Sequence, residues 1–585
     1  MSIVNLTGKI SKIFMNTKGF IIAKITVNDD TYSIINFKGP VSGAVKINAE
    51  VSFSGKITTH PTFGMQVEGK MILGKEAKLI PTKTDFKLTE EQTEIIKKTT
   101  LGHTLKIKAF AGTGKTSTLI EIANQLPTRG LYLAYNKSTQ LEAQAKFPDT
   151  VVCKTAHSLA YGYMYDEIQN RVKSSLTPTE FMHYVYVAAK ADYTAFEIAF
   201  LAIKVLRLYC ISWHKEIAEH FFDHSDFTML GEKEDKDNLM RHISILAEQY
   251  WDICKTDLKS PIEHDFYLKM FQLRYLSLAK RFDYIMFDEA QDANPVLLDI
   301  INRQNVQKIY VGDSHQQIYS WRGAINAMRF LDGEDAYLTQ SFRFGSAIAD
   351  IANILLKFLY EKEKLIGFDK AGTAIVTKKP TKYTLLSRTN AQLIQNIVDN
   401  KKKKLHVVGG IDDALALAKS GFALFQGRKQ DVTHSKLKYF HSWGAIVKFN
   451  ENFSDPDIGF LVKMIDKHKE KFKDVIRLIE FGKYTSEATA TIIISTIHKA
   501  KGREWDNVIL CDDFPIFQHC ECFKEALRTS REEFNLLYVG VTRAKKQLML
   551  EKGTRNFINR VNAYITPKTV VEDNITKSES EAIEL

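Results

Sequence analysis

Ala109-Phe110-Ala111-Gly112-Thr113-Gly114-Lys115-Thr116 is the stretch that decides how this chain must fold. The run LKIKAF that leads into it reads as a strand, and the residues after Gly114 open a helix, so the glycines occupy a tight strand-to-helix turn. Such a turn aims successive backbone N–H groups at one point, at the positive end of the helix dipole, and cradles phosphate there. Ala111, Gly112, Thr113 and Gly114 supply that cradle. Lys115 is placed to reach the β- and γ-phosphates of ATP, and the Thr116 hydroxyl to ligate Mg²⁺. The general pattern opens on Gly where this chain has Ala109, but the spacing to Gly114-Lys115-Thr116 is kept.

Further along the chain, Tyr284-Ile285-Met286-Phe287-Asp288-Glu289 is an apolar strand that ends in two carboxylates. A phosphate-binding turn and an acidic strand end in one chain predict a parallel sheet whose carboxyl edge carries both. Asp288 is then the residue to hold Mg²⁺ through water, and Glu289 the one to polarise an attacking water. Alone, an acidic strand end is an ordinary solvated terminus; paired with the turn, it reads as the site of a hydrolase.

After Pro81 strand and helix patterns alternate, which is α/β texture. Residues 161–281 are rich in helix patterns and aromatics and read as an insertion between strands of one sheet, and a smaller insertion is expected over 411–486. Before Pro81 the texture differs: VNLTGKISKIF, GFIIAKITV, TYSIINF, AEVSFSGKI and MQVEGKMIL are five short strands divided by Asn, Asp, Gly and Pro. Five such strands over 1–80 predict a small β-barrel, either OB-like and able to take single strands, or a plain protein-docking domain. The last residues, 566–585, are polar and read as a loose tail.

The 585 residues are too many for one core, and the composition, 44% hydrophobic and 25% charged, is that of a globular protein. A net charge of +11 favours a polyanionic partner, because a basic surface gains affinity by releasing counterions from phosphates. Cys153, Cys210, Cys254, Cys511, Cys520 and Cys522 lack the paired spacing of a zinc site or a disulfide framework. They read as buried or idle thiols in a reducing cytoplasm, expected to be that of a prokaryotic or phage-infected cell. No run of 18 apolar residues and no secretory leader is seen, so no membrane partner is expected.

Further motifs stand in a fixed order: Asp288-Glu289-Ala290-Gln291-Asp292, Gly312-Asp313-Ser314-His315-Gln316-Gln317-Ile318-Tyr319-Ser320-Trp321-Arg322-Gly323-Ala324, Gln340-Ser341-Phe342-Arg343-Phe344-Gly345, Ser495 to Trp505, and Tyr538 to Ala544. Together they resemble superfamily 1 DNA helicases of the UvrD/Rep type over about 86–550, with wording closest to the F-box DNA helicase branch. Lys18-Gly19-Phe20 and His60 to Gln66 resemble the amino-terminal domain of long RecD-like helicases.

The resemblance implies two RecA-like domains, 81–160 with 282–335 and 336–410 with 487–565, binding ATP between them. It implies that Gln92 reads adenine, that Phe342 stacks on the base where Tyr is usual, and that Glu504 touches the ribose. Arg343 and Arg543 resemble arginine fingers, and Gln316 a γ-phosphate sensor. Tyr135, Asn136, Thr155, His157, Trp321, Arg322 and His498 resemble contacts to single-stranded DNA, where aromatics stack on any base.

The implied activity is ATP-dependent translocation on single-stranded DNA and unwinding at single/double-strand junctions, 3′ to 5′, in replication, repair or recombination. Two rivals stay open: a nucleotide-gated clamp or loader, and a translocase that strips proteins from single strands with little unwinding. The amino-terminal domain is a further candidate for a protein partner.

Overall fold

The computed structural model describes residues 3–17, 20–27, 30–36, 50–60, 64–73, 88–190, 193–217, 233–319, 326–434, 436–438, 440–453, 456–480, 482–516 and 523–566. Trp321, Arg322, Cys520, Cys522 and residues 18–19, 61–63 and 567–585 lie outside the described residues. The chain divides into two compact units, one of 1–93 with 136–149 and one of 94–135 with 150–585.

In the smaller unit five strands close into a barrel: β1 (Ile3–Thr17), β2 (Phe20–Val27), β3 (Asp30–Asn36), β4 (Glu50–His60) and β5 (Gly64–Leu73). Their order is β1-β2-β3-β5-β4, antiparallel throughout except where β3 runs beside β5. The length of β1 makes closure possible. Its first half, Ile3 to Lys9, pairs with β4, and its second half, Lys9 to Thr17, pairs with β2 through two register shifts. Such shifts bend a strand and deepen its twist.

The larger unit holds two six-stranded parallel sheets. The first uses β6 (Leu105–Ala109), β7 (Gly130–Ala134) and β8 (Val151–Thr155), then, past a two-residue pair β9 (Val172–Lys173) and β10 (Ile262–Glu263), β11 (Tyr284–Phe287), β12 (Gln307–Gly312) and β13 (Glu334–Leu338). Its order is β13-β6-β12-β11-β7-β8. Apolar strands such as β11, buried at every residue, are what a sheet covered on both faces requires. The second sheet runs β14-β19-β18-β15-β17-β16, from β14 (Ala374–Ile375), β15 (Tyr383–Ser387), β16 (Leu405–Val407), β17 (Ile492–Thr496), β18 (Trp505–Leu510) and β19 (Ala544–Leu550).

Two boundaries differ from the expected ones. β13 straddles 335/336 and belongs wholly to the first sheet, because Glu334 to Leu338 pair with Leu105 to Ala109. The helix Ala156–Ile168 runs across 160/161, capped at its start by a reciprocal Thr155 and Ser158 pair.

The helices between β8 and β11 share one core with the first sheet: Leu133 and Phe287 of the strands pack in it with Phe181, Leu206, Tyr250 and Phe266. The second set, Asp412–Phe425, Trp443–Phe453, Pro456–His468 and Phe472–Glu480, has a core of its own around Phe422, Ile446, Leu461 and Ile465. Phe196 and Phe200, on the helix Ala195–Ile211, meet the rings of Phe440 and Phe449 at 6.3 and 5.0 Å, so the two helical sets touch. No helix among the described residues is long and apolar enough to cross a membrane.

Candidate active site

The turn after β6 is built as its residues require. Gly112 and Gly114 take φ of 77° and 79°, a region that costs other residues about 1 kcal/mol or more. Gly114 opens the helix Lys115–Gln125, and Thr118 N–H returns to its carbonyl at 2.9 Å. A Cβ on Gly112 would lie 2.6 Å from the Arg343 Cβ and 2.7 Å from the Ser341 Oγ. The chain leading to the second sheet therefore rests directly on the turn, and Phe342 N–H donates to the Gly112 carbonyl at 2.8 Å.

Lys115 points at the carboxylates. Its Nζ donates to Glu289 Oε1 at 2.9 Å. Burial works against the ammonium, yet Glu289, Asp288 and Asp313 outweigh it and raise its pKa. Glu289 sits at φ 52°, a left-handed conformation rare for a side chain of its size, and strain of this kind gathers at functional sites. Burial pushes its carboxyl up, but Lys115 and then Lys501 pull it lower still, below the ordinary range. Asp288 moves the other way, raised by burial and by the neighbouring Glu289. Both its oxygens are engaged: Oδ2 accepts from the Tyr132 hydroxyl at 2.6 Å, and Oδ1 from Glu289 N–H at 2.9 Å.

The second sheet supplies the opposite wall. Arg543, 1% exposed, donates to Val539 O, Arg503 O and Thr542 Oγ1 and reaches Gln316 Oε1 at 3.4 Å. Burial and the nearby Arg343 lower its pKa to about 9, so it stays charged at neutral pH. Arg343 donates from Nε to Glu504 Oε2 at 2.6 Å and from Nη1 to Thr542 O at 3.0 Å. Gln316 Nε2 in turn bonds Asp313 Oδ2 at 2.7 Å. Tyr538, on the helix Arg531–Val541, ties the walls together: its hydroxyl donates to Asp313 Oδ2 at 3.1 Å and accepts from Ala111 N–H at 3.2 Å.

Lys501 completes this wall, reaching the Gln316 carbonyl at 2.5 Å and the buried Asp292 carboxylate. Burial raises Asp292 to about 6 even against Lys501. A carboxyl whose folded pKa exceeds its unfolded value of about 4 costs stability as pH rises through that window. Lys501→Met should therefore lose about 3 kcal/mol at pH 7, because one charge of a buried pair is stranded, and much less at pH 5. Urea unfolding at the two pH values tests this. Equal losses at both, or no recovery on adding Asp292→Asn, would show that the pair carries no such coupling.

Tyr135 stacks on Tyr319, centroids 5.7 Å apart and rings 16° from parallel, and Tyr319 donates its hydroxyl to His498 O at 3.1 Å. These residues leave the carboxyl ends of β7, β12 and β17, so the structure brings Tyr135 and His498 together across the two sheets. Thr155 and His157 stand at the end of β8, where Thr155 caps a helix and His157 Nε2 meets Asp265 Oδ1 at 2.9 Å. Gln92 and Asn136 belong to the smaller unit. There Gln92 forms a reciprocal cap with Thr89, and Asn136 caps the helix Lys137–Gln144. Phe342 is half-buried, its ring 6.1 Å from that of Phe368.

Tyr132, Asp313, Tyr319, Lys501 and Tyr538 were not singled out by sequence reasoning. All but Tyr132 lie inside the motif stretches, but no spacing rule says which partner each will find. Cys153, Cys210, Cys254 and Cys511 are buried, and no group of three or more His, Cys, Asp or Glu side chains gathers for a metal among the described residues.

Two family models match the chain: the UvrD/REP helicase N-terminal domain over residues 88–332 and the UvrD-like helicase C-terminal domain over 221–554. The chain is 29% identical over 515 residues to F-box DNA helicase 1 of Gallus gallus, covering 81% of this chain and 50% of that one. It is 32% identical over 521 residues to F-box DNA helicase protein 1 of Schizosaccharomyces pombe, covering 79% and 57%. A probable DNA helicase of Mycoplasma pneumoniae is 26% identical over 297 residues, covering 48% and 45%. The chain thus spans about half the length of these relatives. Bird and yeast matches of this extent give no support to a prokaryotic or phage source.

Proposed function

The chain belongs to the UvrD-like helicases, and from that membership we propose that it is an ATP-driven motor that moves along single-stranded DNA and separates duplex ahead of it. The observation that carries this reading is the meeting of the two sheets at the phosphate-binding turn. Arg343 and Arg543 come from the second sheet's side, while Lys115, Glu289 and Gln316 come from the first. A nucleotide held there would be touched from both sides, so its hydrolysis and the closure of the two domains are coupled.

The residues suit Mg²⁺-ATP. Lys115 is a half-buried cation, and Asp288 is a buried carboxylate fixed by two hydrogen bonds. Thr116 and Asp288 are the residues that would hold Mg²⁺, which when bound neutralises charge on the phosphate oxygens. Glu289 orients and deprotonates the attacking water, Gln316 senses the γ-phosphate, and Arg343 and Arg543 stabilise the charge that develops on it. Phe342 and Glu504 hold base and ribose. Tyr135, Tyr319 and His498, which follow strands of the two sheets, form the track, with Thr155, His157, Trp321 and Arg322 as further contacts.

ATP turnover with and without single-stranded DNA tests the motor. Strong stimulation is expected, and its absence would put the nucleotide-gated clamp first.

Polarity follows the motor motifs, so movement is expected 3′ to 5′. A strand-displacement assay with opposite overhangs should open the 3′-tailed duplex; opening only the 5′-tailed one reverses the assignment. The amino-terminal barrel fits an OB-like domain for strand or protein binding, and the task lies in replication, repair or recombination.

A further inference from the structure

Beside the track lies a row of rings of which the motifs name only the first, His157. His157, Tyr161 and Tyr165 recur at every fourth residue of the helix Ala156–Ile168, which aligns them on one face about 6 Å apart. The centroids of Tyr161 and Tyr165 are 5.8 Å apart. Behind them Tyr267 is buried and stands edge-on to His157, Tyr161 and His264 at 6.0, 5.8 and 5.7 Å, so one core ring sets the orientation of three outer ones.

The outer rings are open: Tyr165 is 50% exposed, Tyr161 half-buried and His264 exposed. Gly162, on the same helix, has nothing within 4 Å of where a Cβ would stand. A helix-interior glycine costs about 1 kcal/mol against alanine, and no packing demand at this position explains it. It leaves the helix surface bare to one side of the rings. Of the nearby acids, Asp265 is hydrogen-bonded to His157 and Glu167 is ion-paired with Arg274.

We propose that this face is an extension of the single-strand path, a stacking ladder for successive bases that leads away from the sheet edge into the first helical insertion. It rests on the track proposed above, with which it is continuous. Ala134 pairs with Thr155 in neighbouring strands, so Tyr135 and the start of the ladder leave adjacent strand ends. Ring faces accept any base, so the ladder lengthens the footprint without reading sequence.

The test is the affinity of the full chain for labelled oligothymidylates of increasing length, without nucleotide. The parent should keep gaining affinity at lengths where Tyr161→Ala/Tyr165→Ala has reached its plateau, with long oligonucleotides bound about tenfold more weakly for each ring removed. Tyr165→Ala alone, at an exposed position, should bind about tenfold more weakly with an unchanged melting temperature, and Tyr165→Phe should bind like the parent. Equal length dependence in parent and double variant overturns the ladder while leaving the track standing. A parent that binds no oligonucleotide at any length overturns the track and the ladder with it.

Discussion

Glu289→Gln is expected to lower DNA-stimulated ATP turnover about a thousandfold, within the range known for removal of a positioned general base. Nucleotide affinity should be kept or rise, since the turn glycines are untouched and Lys115 loses the carboxylate that holds its ammonium. Glu289 is held on three counts: a backbone at φ 52°, a hydrogen bond from Gln291 Nε2 to Oε2 at 2.6 Å, and the Lys115 ammonium on Oε1. With Lys115 against it, the carboxylate is a weak base, its pKa drawn below the ordinary range. A γ-phosphate arriving at the turn would compete for that ammonium. Were Lys115 to turn to the phosphate, Glu289 would lose its largest stabilising partner and regain the basicity needed to deprotonate water. Glutamine keeps the shape and cannot take the proton. Single-turnover hydrolysis alongside equilibrium ATP binding separates the two effects. Turnover within tenfold of the parent would remove Glu289 from the chemistry.

The same residue shows how much of the site was legible in the sequence. The turn at 109–116 and the acidic strand end at 288–289 follow local rules, a glycine pair before Lys-Thr and an apolar run before Asp-Glu, and both lie where those rules put them. The alternation of strand and helix forecast parallel sheets, because apolar strands that are buried on both faces need helices above and below. What local rules do not carry is pairing across the chain. Tyr132 reaches Asp288 over 156 residues, Tyr538 reaches Ala111 over 427, and Lys501 reaches Asp292 over 209. Each is an ordinary polar residue until the topology chooses its neighbour. Thr155 shows the converse: read as a strand contact through resemblance, it also closes a capping box with Ser158, a role that a Thr-x-x-Ser spacing alone could have indicated.

Arg543→Ala should cost a comparable factor, about a thousandfold in kcat, the order found when an arginine finger is withdrawn from phosphoryl transfer. KM for ATP should move far less, because the guanidinium acts on charge that develops only as the γ-phosphate leaves. Two features of its setting support this role over a purely structural one. Arg543 is charged while fully buried, a costly state for a residue that serves only to fill space. It also spans the two sheets, anchored on Val539, Thr542 and Arg503 of the second while its Nη2 reaches Gln316 of the first. Arg543→Lys should rescue little, since one ammonium cannot reproduce a planar fork with four acceptors in different directions. A structural role would appear as a lowered melting temperature with kcat recovered at low temperature. A catalytic one would appear as lost turnover in a protein that melts near the parent and still binds ATP. Recovery of kcat by lysine to within tenfold of the parent would reduce Arg543 to a counter-charge and leave Arg343 as the finger.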